Sequence, residues 1–260
     1  MKTIINSCKR THGLKVSMAL ITCLLFLIFT SCQKDEFNQD SISDISPLAS
    51  SKKPTATVGK VKDVDGNWYK TVKIGEQWWM AENLKTTRFN DRTYIPLVTE
   101  NSIWETLTTP GYCWFNNDEA TYKATYGAMY NWFSLNATSN GGKNVCPTGW
   151  HVPTDAEWTT LTSYLGGEEV AGGKLKETGT THWFSPNTGA TNETGFTALP
   201  SGLRGYDGVC YALGSYGYLW SSSESSATYG FYRYLVFNYS NLFGNPNFKQ
   251  NGFAVRCLKD

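Results

Sequence analysis

Apolar positions along this chain fall into three regimes: one continuous run, two stretches at helical spacing, and many short runs bounded by glycine. The continuous run spans 16–29, after a start that carries Lys2, Lys9, Arg10 and Lys15 and no acidic residue. It is shorter than the ~20 apolar residues of a comfortable membrane span. A basic start, a short apolar stretch and a small residue before a cut describe a secretory leader. Tyr126, Met129, Tyr130 and Phe133 fall at i, i+3, i+4 and i+7, and this spacing predicts a helix over 121–134. A second helix starts at Thr154-Asp155-Ala156-Glu157, where hydroxyl and carboxylate can cap each other's amides. Trp158, Leu161, Thr162 and Leu165 line its face, and Gly166-Gly167 supply a left-handed stop. Strands are expected at 68–74 and 78–80, turned by Asp65-Gly66-Asn67 and Gly75-Glu76-Gln77. Everything after Gly195 reads as short aromatic strands and glycine turns, at 218–222, 230–239 and 252–258. The pattern predicts an α+β domain with two main helices and a twisted, loop-rich antiparallel sheet.

The leader sharpens at its end. Phe29-Thr30-Ser31-Cys32 resembles a lipoprotein signal-peptidase box, with Cys32 as the lipidated residue. The following Gln33-Lys34-Asp35-Glu36 resembles the charged export tag of surface lipoproteins in Bacteroidetes-type bacteria. From Phe37 to Thr57 the chain is rich in Ser, Asp, Pro and Lys without periodicity, as in a flexible stalk. The expected organisation is a signal peptide at 1–31, a lipidated N-terminus and stalk at 32–57, and one domain at 58–260. The expected location is the outer membrane, lipid-anchored and exposed at the cell surface.

Charge excludes one class of partner. The formal charge of +1 falls to −3 once the four basic residues of the leader are removed. No basic stripe exists, so nucleic acid is not an expected partner. Aromatics say more: 13 Phe, 10 Trp and 15 Tyr, beside 24 Gly, favour strands and ordered loops over helix bundles. Beyond the leader and Cys32, four cysteines remain: Cys113, Cys146, Cys210 and Cys257. In an exported domain an even number suggests disulfides, with three possible connectivities. A Cys146–Cys257 bridge would tie the last strand-like segment to the middle of the fold. Pairing of Cys113 with Cys210 stays open.

Four blocks together resemble a known family. They begin at Val72 (VKIGEQWWMAENL), Tyr126 (YGAMYNW), Cys146 (CPTGWHVPTDAEW) and Gly252 (GFAVRC). In order and spacing they are similar to the Fibrobacter succinogenes major paralogous domain, a module of bacterial surface and secreted lipoproteins. The resemblance covers essentially 58–260 and implies a C-type-lectin-like fold related in shape to formylglycine-generating enzymes. It implies no settled activity.

Candidate chemistry is sparse. His151 and His182 lie beside tryptophans with no nucleophile elbow or metalloprotease helix in the sequence, so both are expected to donate to backbone carbonyls. Asp63-Val-Asp-Gly-Asn67 and Asn116-Asn-Asp-Glu119 are acidic clusters at turn and helix-start positions, and no metal or other cofactor is expected. Between Tyr206 and Phe253, 14 of 48 residues are aromatic. Within that stretch Tyr206, Asp207, Tyr211, Tyr216, Tyr218 and Trp220 are the candidate ligand contacts, being rings spaced by glycine beside hydrogen-bonding groups. The expected function is non-catalytic binding of a glycan or protein ligand, with the membrane as partner through the lipid. An enzyme acting on an envelope or host polymer, or a structural subunit of a surface assembly, are the alternatives.

Overall fold

Asp63 makes the first turn. Its carboxylate accepts the Asn67 amide at 2.8 Å, the Asn67 side chain at 2.8 Å and the Tyr69 hydroxyl at 2.6 Å. The chain therefore reverses between β1 (Val58–Lys62) and β2 (Trp68–Ile74), and again at Gly75 before β3 (Gln77–Met80). The structure, a computed structural model, describes residues 57–260. The leader, Cys32 and the stalk up to residue 56 lie outside the described residues.

Further strands are β4 (Tyr112–Cys113), β5 (Met129–Tyr130), β6 (Trp150–His151), β7 (Ser201–Arg204), β8 (Cys210–Leu213), β9 (Tyr216–Glu224), β10 (Tyr229–Val236), β11 (Phe243–Phe248) and β12 (Leu258–Lys259). The helices are α1 (Asn101–Glu105), α2 (Glu119–Tyr126), α3 (Ala137–Asn140), α4 (Asp155–Tyr164) and α5 (Glu168–Leu175). The fold is thus α+β with short helices. In place of one sheet there are two five-stranded sheets, ordered β1-β2-β3-β12-β6 and β11-β10-β9-β7-β8, and a β4-β5 pair. Among the described residues, the strand pairs are antiparallel except β7 with β9. The last strand returns to the middle of the first sheet, with Leu258 between Trp79 and His151.

Two expectations about helices need correction. The helix expected over 121–134 ends at Tyr126, because Gly127 turns at φ 73° and its α-carbon lies against the Asn83–Leu84 backbone. Met129 and Tyr130 then pair as a strand with Cys113 and Tyr112, so their helical spacing is coincidental. The helix at Thr154 forms with both capping bonds in place, at 3.3 Å and 2.7 Å. Gly166 and Gly167 stop it at φ 97° and 100°. An unexpected helix, α5, follows at once and carries Gly172 and Gly173 in its interior.

The aromatic composition goes into the core. Seven of the ten tryptophans are essentially fully buried. One cluster gathers Trp114, Tyr130, Trp132, Trp220 and Phe253 around Cys146 and Cys257. A second holds Trp79, Trp158, Trp183 and Phe196, and a third holds Trp104, Cys113 and Phe115. Cys146 and Cys257 are bonded, with Cα atoms 5.9 Å apart across 111 residues of chain. Cys113 and Cys210 are free thiols, one buried and one half-buried.

Candidate ligand-binding face

Alternation along β9, β10 and β11 sorts their side chains onto two faces. Register pairs Trp220 with Tyr232, Tyr218 with Tyr234, and Tyr234 with Phe243. The opposite face carries Leu219 and Leu235 and packs onto Trp158 and Trp183. The tyrosine face is covered at one end and open at the other. At the covered end Trp220 is 0% exposed, its ring 4.3 Å from that of Phe253 and its N–H donating to the Tyr130 carbonyl at 2.8 Å. At the open end Tyr216, Tyr218, Tyr234 and Phe243 are half-buried, and Tyr239 stands exposed at the rim.

The rings of the open end form a parallel stack. Tyr216 and Tyr218 are 5.5 Å apart at 12°, Tyr218 and Tyr234 6.0 Å at 24°, and Tyr234 and Phe243 4.8 Å at 18°. Tyr218 also stacks on Phe253 at 5.0 Å. Stacking at these spacings occupies the ring faces with one another and turns the edges toward solvent. Asn245, paired with Tyr232, and Asn247 lie beside this row, and their amides offset part of the upward pKa shift of Tyr234 and Tyr232. Burial pushes the phenols of Tyr218, Tyr232 and Tyr234 above their ordinary pKa of 10. All three are therefore neutral donors at physiological pH.

A buried cation fixes where β10 ends. Lys176 donates to the carbonyls of Thr188, Val236 and Tyr239 at 2.9, 3.1 and 2.8 Å, which uses all three of its N–H bonds. Burial pushes its pKa down to about 8, still above neutrality, so the ammonium form persists at pH 7.

The six sequence candidates separate into three places. Tyr216 and Tyr218 belong to the stack. Tyr206, Asp207 and Tyr211 sit at the β7–β8 turn, where Tyr206 packs on Phe248 and the Tyr211 hydroxyl donates to Asp207 at 2.6 Å. Trp220 is core, and its expected role as a ligand contact is corrected: nothing from solvent reaches a ring sealed by Phe253 and Tyr232. The sequence alone does not single out Tyr234, Phe243 and Asn245, which the register places on the same candidate face. The period-two spacing of Tyr232 and Tyr234 was the available signal, obscured because both alternating sets of 230–239 are largely apolar.

Two other places hold ionisable groups. His151 and His182 bond carboxylates rather than the expected backbone carbonyls: His151 those of Asp260 and Glu157, His182 that of Glu177. A cleft of about 570 Å³ opens beside β1, β2 and α2 and is bordered by Lys70, Glu82, Glu177 and Arg256. Arg256 is buried there and donates to Asn83 and to the Phe196 and Thr197 carbonyls. Glu82 accepts the Lys70 amide at 2.8 Å. The cleft is also lined by Thr71, Thr125 and Thr197. The two acidic clusters are turn chemistry: besides Asp63, Asp65 accepts from Thr86 and Thr87, and Asp118 caps α2 through the Thr121 amide.

Short helices on curled, mostly antiparallel sheets, closed by a terminal segment bonded to the middle of the chain, define a small α+β module with an aromatic core. The chain belongs to the Fibrobacter succinogenes major domain family, whose sequence profile matches residues 72–259. No curated protein and no solved structure matches it.

Proposed function

We propose that this chain is a cell-surface lipoprotein, anchored through Cys32, whose domain binds a glycan or protein ligand without catalysis. The observation that carries the reading is the half-open tyrosine stack of β9–β11. It is an ordered aromatic surface backed by core on one side and reachable by solvent on the other. Side chains already held rigid lose little entropy when a ligand settles on them, which is what recognition surfaces use. Both ring nitrogens of His151 are taken by carboxylates, which leaves that imidazole no free nitrogen to serve as a base. The architecture is read as C-type-lectin-like, as the family resemblance implies, and the return of β12 into the first sheet supports it. The leader, the small residues before Cys32 and the charged residues after it support surface anchoring, with no other run in the sequence long and apolar enough to replace the lipid.

One experiment addresses both parts. Cys32→Ala should abolish fatty-acid labelling and move the chain from the membrane to the soluble fraction. The released chain should be retained by immobilised polysaccharides or cell-surface protein extracts, and Tyr234→Ala should weaken that retention by about 1–2 kcal/mol. Unchanged labelling contradicts the anchor, and retention indifferent to Tyr234→Ala contradicts the binding face.

A further inference from the structure

The chemistry of the open face specifies its ligand more narrowly, provided that the binding reading above holds. Because the rings stack on one another, an incoming molecule meets phenol hydroxyls and the amides of Asn245 and Asn247 rather than ring faces. Each of these groups both donates and accepts. A polar group buried without a partner opposes binding, so the ligand must itself offer closely spaced groups that donate and accept. Protein interfaces gain most from apolar anchors packed in a dry centre, whereas this face offers hydroxyls and amides around a single apolar ring, Phe243.

Charge narrows the class further. On this face the open-end side chains of β9, β10 and β11 are Tyr216, Tyr218, Tyr234, Phe243 and Asn245, all uncharged. Arg233 lies on the other side of the sheet, against Asp155. A uronate or sulfate would lose its hydration without a cation to receive it, and a basic peptide would find no carboxylate. We propose that the ligand is an uncharged, hydroxyl-rich polysaccharide, read by the hydroxyl edges of Tyr216, Tyr218 and Tyr234 together with the Asn245 amide.

The test uses the full chain carrying Cys32→Ala, run through native gels that contain defined polysaccharides. The neutral set is β-glucan, xylan, mannan and starch; the charged set is polygalacturonate and heparin. At least one neutral polymer should retard the chain and neither charged polymer should. Tyr216→Phe and Tyr234→Phe keep the rings and the stack but remove one hydroxyl each. Each should weaken retardation about tenfold, the equivalent of one good hydrogen bond. If the phenylalanine variants bind normally while Tyr234→Ala does not, recognition is by ring surface; the hydroxyl inference is then overturned and the binding face stands. Retardation by charged polymers alone, or by none of the six, also overturns it. In that case the wider reading is decided separately, by whether surface-protein extracts retain the chain in a Tyr234-dependent way.

Discussion

His151 lies between two carboxylates, with Nδ1 2.6 Å from Asp260 and Nε2 2.9 Å from Glu157. A neutral imidazole can donate from only one nitrogen, so the doubly bonded arrangement favours the cation. Partial burial alone would push the His151 pKa down, but the hydrogen bonds and charges of Asp260 and Glu157 outweigh it and hold it above the ordinary 6.5. Glu157 is likewise partly buried, which raises its pKa, yet the Thr154 and His151 contacts hold it below the ordinary 4.5. The signs follow from linkage. The histidine's contribution is complete below pH 6.5 and is lost as pH rises through the raised value. The carboxylate's contribution is present above pH 4.5 and is lost as pH falls through the lowered value. The contact is therefore strongest between about pH 4.5 and 6.5. Being half-exposed, it contributes about 1 kcal/mol or less. Thermal melts of wild type and His151→Gln should differ most in that window, with the gap narrowing above pH 7. A gap that widens toward pH 9 would contradict the assignment. From sequence, His151 reads as a structural histidine that donates to backbone carbonyls. Its acceptors were not legible, because Asp260 lies 109 residues away and meets it only through β12 pairing with β6.

Elements were legible where local chemistry decides them and illegible where tertiary contact does. The Thr154 capping box needs only its own four residues, and α4 starts where it predicts. By contrast α5 contains Gly172 and Gly173, which local preference disfavours in a helix by about 1 kcal/mol each. The structure shows why they are there: a β-carbon on Gly172 would run into the carbonyls of Ser240 and Asn241, and one on Gly173 into the Gly189 backbone. The bare helix surface lets the loop leading to β11 approach, and the Leu242 amide donates to the Glu168 carbonyl at 2.8 Å. Gly172→Ala thus sets two effects against each other. Propensity alone would stabilise by about 1 kcal/mol, whereas forcing the Ser240–Asn241 backbone away should cost about 2 kcal/mol or more. Urea unfolding should show net destabilisation; equal or greater stability would mean that the close approach is not needed.

At the scale of the molecule, the four sequence blocks led to the right family because they are the strands, the capping box and the bonded cysteines that interlock in the core. Cys146 and Cys257 close a loop of 111 residues, which in the chain-entropy model is worth up to about 4–5 kcal/mol. The candidate face was half legible. Tyr216 and Tyr218 stood out through their glycine spacing, but the face itself arises from register between β9, β10 and β11, and single-strand patterns do not specify which strands become neighbours. The same register places Trp220 under Phe253, although in sequence it is one more ring in the same aromatic run.

The central claim is that the open end of the tyrosine stack is where ligand sits. Hydroxyl-radical footprinting of the released chain, with and without a mixture of soluble β-glucan, xylan, mannan and starch, tests it residue by residue. The account predicts that oxidation of Tyr216, Tyr234 and Phe243 falls severalfold on saturation, while Trp220, buried in both states, stays unreactive. Protection confined to the cleft bordered by Glu82 and Glu177, with the stack oxidised as before, would contradict it.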